Sequence, residues 1–206
     1  MSFINYHQDR GHVFGECWSY PDSEFMYINI PKNATSWTKQ NLQNWGWECY
    51  NYHTDNLKKT PIIVLRDPVD RWLSGIGEYM YLYHRNINIA EFNEAFHDLV
   101  FDKIAFDDHT ERQVYFLEGL ELTNAIYFEF GTNYRQNFRN FLISNQMPDQ
   151  YSRYEYQHVS DDSPERRQFK KIFGEQIQRS KYLYQIEQYF KPDYELIEKV
   201  EFYGTR

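Results

Sequence analysis

Apolar and polar residues along this chain change period several times, and the changes mark out elements. Residues 25–30 (Phe-Met-Tyr-Ile-Asn-Ile) predict a strand. A loop over 31–35 follows, and Ser36 is placed to cap a helix over 36–45 that Gly46 stops. Residues 47–52 predict a second strand. Pro61 opens a third over 62–66, rich in β-branched side chains. Asp67-Pro68 turns the chain into a helix over 69–83, since proline suits a first helical turn. Further helices are expected over 89–99, 109–118 and 134–145, and a fourth strand over 125–129. The polar stretch 149–164 reads as a long loop of the kind that often covers a site. Residues 165–190 read as one helical run, broken at Lys191-Pro192. Strands alternating with helices predict a single α/β domain with a mainly parallel central sheet flanked by helices. Ligands of such sheets sit at the carboxyl ends of the strands.

Two stretches at such strand ends carry the chemistry. Pro31-Lys32-Asn33-Ala34-Thr35-Ser36-Trp37 joins the first strand to the first helix. A strand–loop–helix corner aims free backbone N–H groups at an anion. Lys32 adds a charge there, and Thr35 and Ser36 add hydroxyl donors. Lysine opens the loop, and no glycine lies within it, so the pattern is not the Gly-x-x-x-x-Gly-Lys-Ser/Thr loop of nucleoside triphosphate enzymes. The second stretch, Ile62-Ile63-Val64-Leu65-Arg66-Asp67-Pro68-Val69-Asp70-Arg71-Trp72-Leu73-Ser74, ends a buried strand with Arg66 and places Ser74 eight residues on. A guanidinium at a buried strand end calls for an anion. Each stretch alone also fits an ordinary feature: a turn with a solvated lysine and a serine cap, or an Arg66–Asp70 ion pair.

As a pair, in this order and spacing, the two stretches resemble the nucleotide-binding signatures of the sulfotransferases that use 3′-phosphoadenosine 5′-phosphosulfate (PAPS), in the style of the carbohydrate-modifying branch. The likeness implies a P-loop-like phosphosulfate-binding loop. Lys32, Asn33, Ala34, Thr35, Ser36 and Trp37 would hold the 5′-phosphosulfate, and Arg66 and Ser74 the 3′-phosphate. Ala34 stands where many members have glycine, so a negative φ is expected at this position. Weaker likenesses extend it over about 25–197: Tyr127-Phe128-Glu129-Phe130; His158-Val159-Ser160, whose Ser160 would close over the nucleotide; and Tyr189 to Leu196, around Asp193-Tyr194. The implied reaction moves a sulfuryl group to a hydroxyl or amine acceptor, a small molecule or glycan, without a metal. The acceptor needs a base. Three candidates stay open: His53, 21 residues after Lys32, ranks first, then His109 in Asp107-Asp108-His109-Thr110-Glu111-Arg112-Gln113, then Glu48. The alternatives are a kinase-like phosphotransferase, using Asp67 on Mg²⁺, and a PAPS-binding module without turnover.

Composition bounds these readings. The chain has 206 residues, 41% hydrophobic and 19% aromatic, enough for one domain with a real core. A net charge of −8 argues against a nucleic-acid partner, so an anionic ligand needs a local cationic site. Cys17 and Cys49, the two cysteines, make neither a disulfide framework nor a zinc site. No signal peptide is expected in residues 1–24 and no apolar run reaches membrane length, so the expected setting is the cytoplasm.

Overall fold

The computed structural model describes residues 14–55, 57–88, 103–147, 163–178 and 182–204. Five short strands form one sheet: β1 (Glu16–Ser19), β2 (Phe25–Ile28), β3 (Glu48–Asn51), β4 (Thr60–Leu65) and β5 (Ile126–Glu129). Their order is β3-β1-β2-β4-β5. Six α-helices are described: α1 (Thr35–Asn44), α2 (Pro68–His84), α3 (Tyr134–Ser144), α4 (Pro164–Gln178), α5 (Tyr182–Tyr189) and α6 (Lys191–Lys199). No helix among the described residues is long and apolar enough to cross a membrane.

The α/β class holds, but the sheet is mixed rather than mainly parallel. β2, β4 and β5 run parallel, in registers such as Tyr27 opposite Ile62 and Val64 opposite Phe128. β1 pairs antiparallel with both β2 and β3. The difference comes from β1, four residues whose pattern is too short to stand out by period. Its insertion beside β2 pushes β3 to the sheet edge.

β4 is central because both of its faces are apolar. Ile62 and Val64 pack into a layer with Trp37, Leu42, Phe128, Phe138 and Phe141. Ile63 and Leu65 point the other way, against Met26, Phe116, Leu117 and Tyr127. This two-faced burial is what a continuous Ile-Ile-Val-Leu run provides. A third cluster, with Trp72, Tyr79, Phe173 and Phe190, joins α2 to α4 and α5.

Other boundaries shift for local reasons. The stretch 109–118 is not an α-helix; a 3₁₀ turn, Gln113–Leu117, replaces it. Upstream, Thr110 Oγ1 accepts from the Phe106 and Asp107 amides, and such side-chain bonds compete with a helical ladder. The run 165–190 is two helices, α4 and α5, and Pro192 lies in the first turn of α6 rather than merely ending a helix. The helix expected over 89–99, the loop at 149–162 and Ser160 fall outside the described residues.

One close approach fixes the 107–110 segment against α2. A Cβ at Gly75 would overlap the His109 carbonyl oxygen, whereas one at Gly131 would meet nothing within 4 Å. Gly75→Ala is expected to lower unfolding stability by about 1–3 kcal/mol through overpacking. Gly131→Ala should stay within about 0.5 kcal/mol of the parent. Denaturant titration checks both, and equal effects would contradict this packing.

Candidate functional site

The 31–37 corner is built by tying its outward-facing groups down. The Asn33 amide donates to Ile30 O (3.2 Å), and Thr35 Oγ1 donates to the same carbonyl (2.7 Å). The Asn33 side chain is fully buried and donates to Val64 O (2.7 Å) and Gln113 Oε1 (2.6 Å). Two arginines take the next carbonyls: Arg71 Nε donates to Pro31 O (2.9 Å) and Arg66 Nη1 to Lys32 O (3.1 Å). The first helical bond of α1 runs from Thr38 N–H to Ala34 O. The amides of Thr35, Ser36 and Trp37 therefore precede the ladder, as the first amides of any helix do.

Three expectations change here. Ala34 has φ +59°, not a negative value, and Lys32 has φ +68°. Two left-handed residues in three make the corner tight enough to bring the start of α1 beside β2, and the carbonyl anchors hold the strain in place. Ala34, not Ser36, occupies the cap position, and no side chain caps α1. The Asn33 side chain and the Thr35 hydroxyl proton bond within the protein, so their part is to shape the loop.

Arg66 directly follows β4, and Asp67 caps α2 by accepting from the Asp70 amide (2.8 Å). That bond gives Asp67 a structural task at the start of α2. The Arg66–Asp70 pair is long, at 3.8 Å, with Asp70 largely exposed, which makes it weak. The Arg66 guanidinium also lies 4.6 Å from the centre of the Phe130 ring. One face of α2, at positions 71, 74, 75 and 78, serves everything nearby. Arg71 is fully buried and reaches Pro31 O, Asp108 O (3.2 Å) and Glu111 O. Burial lowers its pKa to about 10, so it stays a cation at neutral pH. Ser74 is buried at the cavity wall.

The two stretches meet around one cavity of about 590 Å³, lined by Lys32, Ala34, Thr35, Ser36 and Trp37 from the first and by Arg66 and Ser74 from the second. Among the described residues its charged lining comprises the cations Lys32, Lys39, Arg66 and Arg135 and one carboxylate, Glu78. A locally cationic cleft thus sits in a chain of net charge −8. Trp37 contributes from the wall while packing edge-on to Tyr134 and Phe138, with Arg135 5.4 Å from its ring centre.

His109 lines the same cavity. Its Nδ1 lies 2.9 Å from Asp107 Oδ2, and its amide donates to Asp107 Oδ1 (3.0 Å). A carboxylate can only accept, so it selects the tautomer with hydrogen on Nδ1 and leaves the Nε2 lone pair for a proton. His53, ranked first in the sequence, is exposed; it stacks on Phe14 at 4.7 Å and lies against Tyr52, beyond the β3 edge. Glu48 is exposed on β3 and accepts from Tyr50 OH (2.6 Å). Neither lines the cavity. Both lie near the 31–37 corner in sequence, and the insertion of β1 between β2 and β3 carries them away.

Sequence reasoning missed Glu78, Lys39, Arg135 and the orienting Asp107. Glu78 was findable, since it follows Ser74 by one helical turn and must share its face. Arg135 follows β5 across a turn and gave no signal of its own. No protein-family model, curated protein or solved structure matches the chain.

Proposed function

We propose that this protein is a sulfotransferase that takes the sulfuryl group of PAPS to an acceptor hydroxyl, probing the acceptor side with His109. One observation carries the reading: two stretches separated by 24 residues (38–61), each of a kind that suits an anion, line the same cationic cavity. A nucleotide with phosphates at both ends of its ribose needs two such sites, and one phosphate would need only one.

The parts follow from the chemistry. The amides opening α1, Ser36 and Lys32 hold the phosphosulfate; Arg66 and Ser74 hold the 3′-phosphate. In the transfer, the acceptor oxygen forms a bond to sulfur as the bond from sulfur to the phosphate oxygen breaks. The electron pair leaves on 3′,5′-bisphosphate, and the acceptor proton passes to His109 Nε2. Charge grows on the leaving oxygen, where the Lys32 ammonium stabilises it, and this positioned electrostatic term supplies most of the catalysis. Asp107 keeps the imidazole oriented and steadies the cation that forms. The carbohydrate nature of the acceptor rests on the family likeness.

Adenosine 3′,5′-bisphosphate is expected to raise the melting temperature without Mg²⁺, and AMP to do so much less. Arg66→Ala should remove a charge-assisted contact of about 1.5–3 kcal/mol and abolish most of that difference. Equal shifts from both nucleotides would overturn the two-site reading.

Turnover is measured as bisphosphate release from PAPS with a panel of saccharide acceptors. His109→Ala should lower it about 10²–10⁴-fold with bisphosphate affinity nearly unchanged. His53→Ala should leave it within about twofold, because His53 lies outside the cavity. The opposite pattern would return the base to His53.

A further inference from the structure

Among the described lining residues of this cationic cavity, the Glu78 carboxylate is the one that would work against an anion. Glu78 is 8% exposed, yet both of its oxygens are engaged: Oε2 lies 3.3 Å from Lys32 Nζ, and Oε1 accepts from Arg166 Nη2 at 2.7 Å. Burying a carboxylate is costly unless cations hold it, and its charge repels any polyanion beside it. A glutamine of the same shape would fill the space without that repulsion. The charge therefore has another task.

Its surroundings show which. Glu78 stands one helical turn from Ser74, on the α2 face that also carries Arg71 and Gly75. Its other partner, Arg166, comes from α4. That helix is packed so close to α2 that a Cβ at Gly77 would lie 3.2 Å from Arg166 O. The Arg166 guanidinium also sits 4.3 Å from the centre of the Tyr81 ring. Arg166 is thus held by α2, Glu78 is held by Arg166, and the long Lys32 side chain is held by Glu78. Lysine has four side-chain torsions to fix, and an ammonium with no partner in the wall would wander.

We propose that Glu78 is the positioning residue of Lys32: it holds the ammonium in the cavity before the donor arrives and yields it to the donor's anionic groups, giving up anion affinity to orient that charge. The proposal uses the phosphosulfate reading only for the identity of the donor. The exchange itself concerns any anion that reaches Lys32.

The test compares the parent with Glu78→Gln, Glu78→Asp, Lys32→Ala and the Lys32→Ala/Glu78→Gln double variant. Calorimetry uses two probes, adenosine 3′,5′-bisphosphate and inorganic pyrophosphate, beside PAPS turnover. Glu78→Gln is expected to bind both anions about 3–30-fold more tightly while kcat falls at least about 10-fold, an opposition that a purely structural residue would not produce. The gain in affinity should shrink by more than about threefold in the Lys32→Ala background, which is the signature of coupling. Glu78→Asp keeps the charge but draws it back from Lys32, so it should bind the anions more tightly than the parent and keep more turnover than Glu78→Gln. It also serves as the deciding variant should Glu78→Gln fail to fold. Weaker anion binding in either variant, or an undiminished gain without Lys32, overturns the proposal. If the parent binds pyrophosphate but shows no preference for the bisphosphate, the PAPS reading fails while the pyrophosphate comparison still decides the role of Glu78. Failure of every protein to bind either anion overturns both.

Discussion

The side chain of Gln113 is the joint on which the site depends. It is fully buried, and its amide uses its whole capacity. Oε1 accepts from Asn33 Nδ2 (2.6 Å) and the Arg66 amide (3.0 Å), and Nε2 donates to Arg66 O (2.9 Å) with Asp193 Oδ2 at 3.5 Å. One amide therefore binds the 31–37 corner, both backbone groups of Arg66 just past β4, and the start of α6. Asp193 returns the contact by accepting from the Gln113 and Val114 amides, each at 2.9 Å. Burial raises the Asp193 pKa, and these amide bonds oppose the rise. In a dry interior each lost partner would leave another polar group unsatisfied, at roughly 1–3 kcal/mol apiece. The corner, the arginine and the C-terminal helix are held as one unit because no member can move without exposing another's need.

This joint also explains which parts of the molecule were legible from sequence. β2, β4, β5, α1, α2 and α3 declare themselves by local period and punctuation, within a residue or two. The cavity residues Lys32, Ser36, Trp37, Arg66 and Ser74 were legible because each lies at a fixed offset from a strand end. What depends on long-range burial was not. Asn33 sits in a strand-to-helix corner, yet its side chain turns inward because Gln113, 80 residues later, offers it a partner. His53 is close to the 31–37 corner in sequence and outside the cavity in space, because β1 takes the place beside β2 that simple alternation would give to β3. His109 reaches the cavity through a segment with no repeating period, held by Thr110 bonds and by the bare backbone of Gly75.

Arg66 and Arg71 show how one residue type divides into two tasks. Arg71 points into the protein, where three backbone carbonyls take its guanidinium and Phe116 lies 5.7 Å from it. Burial depresses its pKa, and the nearby carboxylates of Asp193, Glu111 and Asp107 offset only part of that fall. It acts as a clamp between the corner and the 108–111 segment. Arg66 spends one bond on Lys32 O and turns its guanidinium to the cavity over Phe130. The planar fork makes both tasks possible, since it can satisfy a carbonyl with one edge and present another to a ligand.

The left-handed pair Lys32 and Ala34 then has a clear physical meaning. For a residue with a Cβ, this conformation costs roughly 1–2 kcal/mol. Here it is enforced from three sides: Arg71 on Pro31 O, Arg66 on Lys32 O, and Gln113 and Val64 on the Asn33 side chain. The strain is therefore met when the chain folds and not when a ligand binds. On the proposed reading, an anion entering the cavity would find the first amides of α1 already turned. Preorganised donors of this kind are worth more than flexible ones of equal number, because their reorganisation has already been completed. A glycine at position 34 would relieve the strain, but it would also free the corner to sample other turns, so the alanine favours a single loop shape at the expense of local stability.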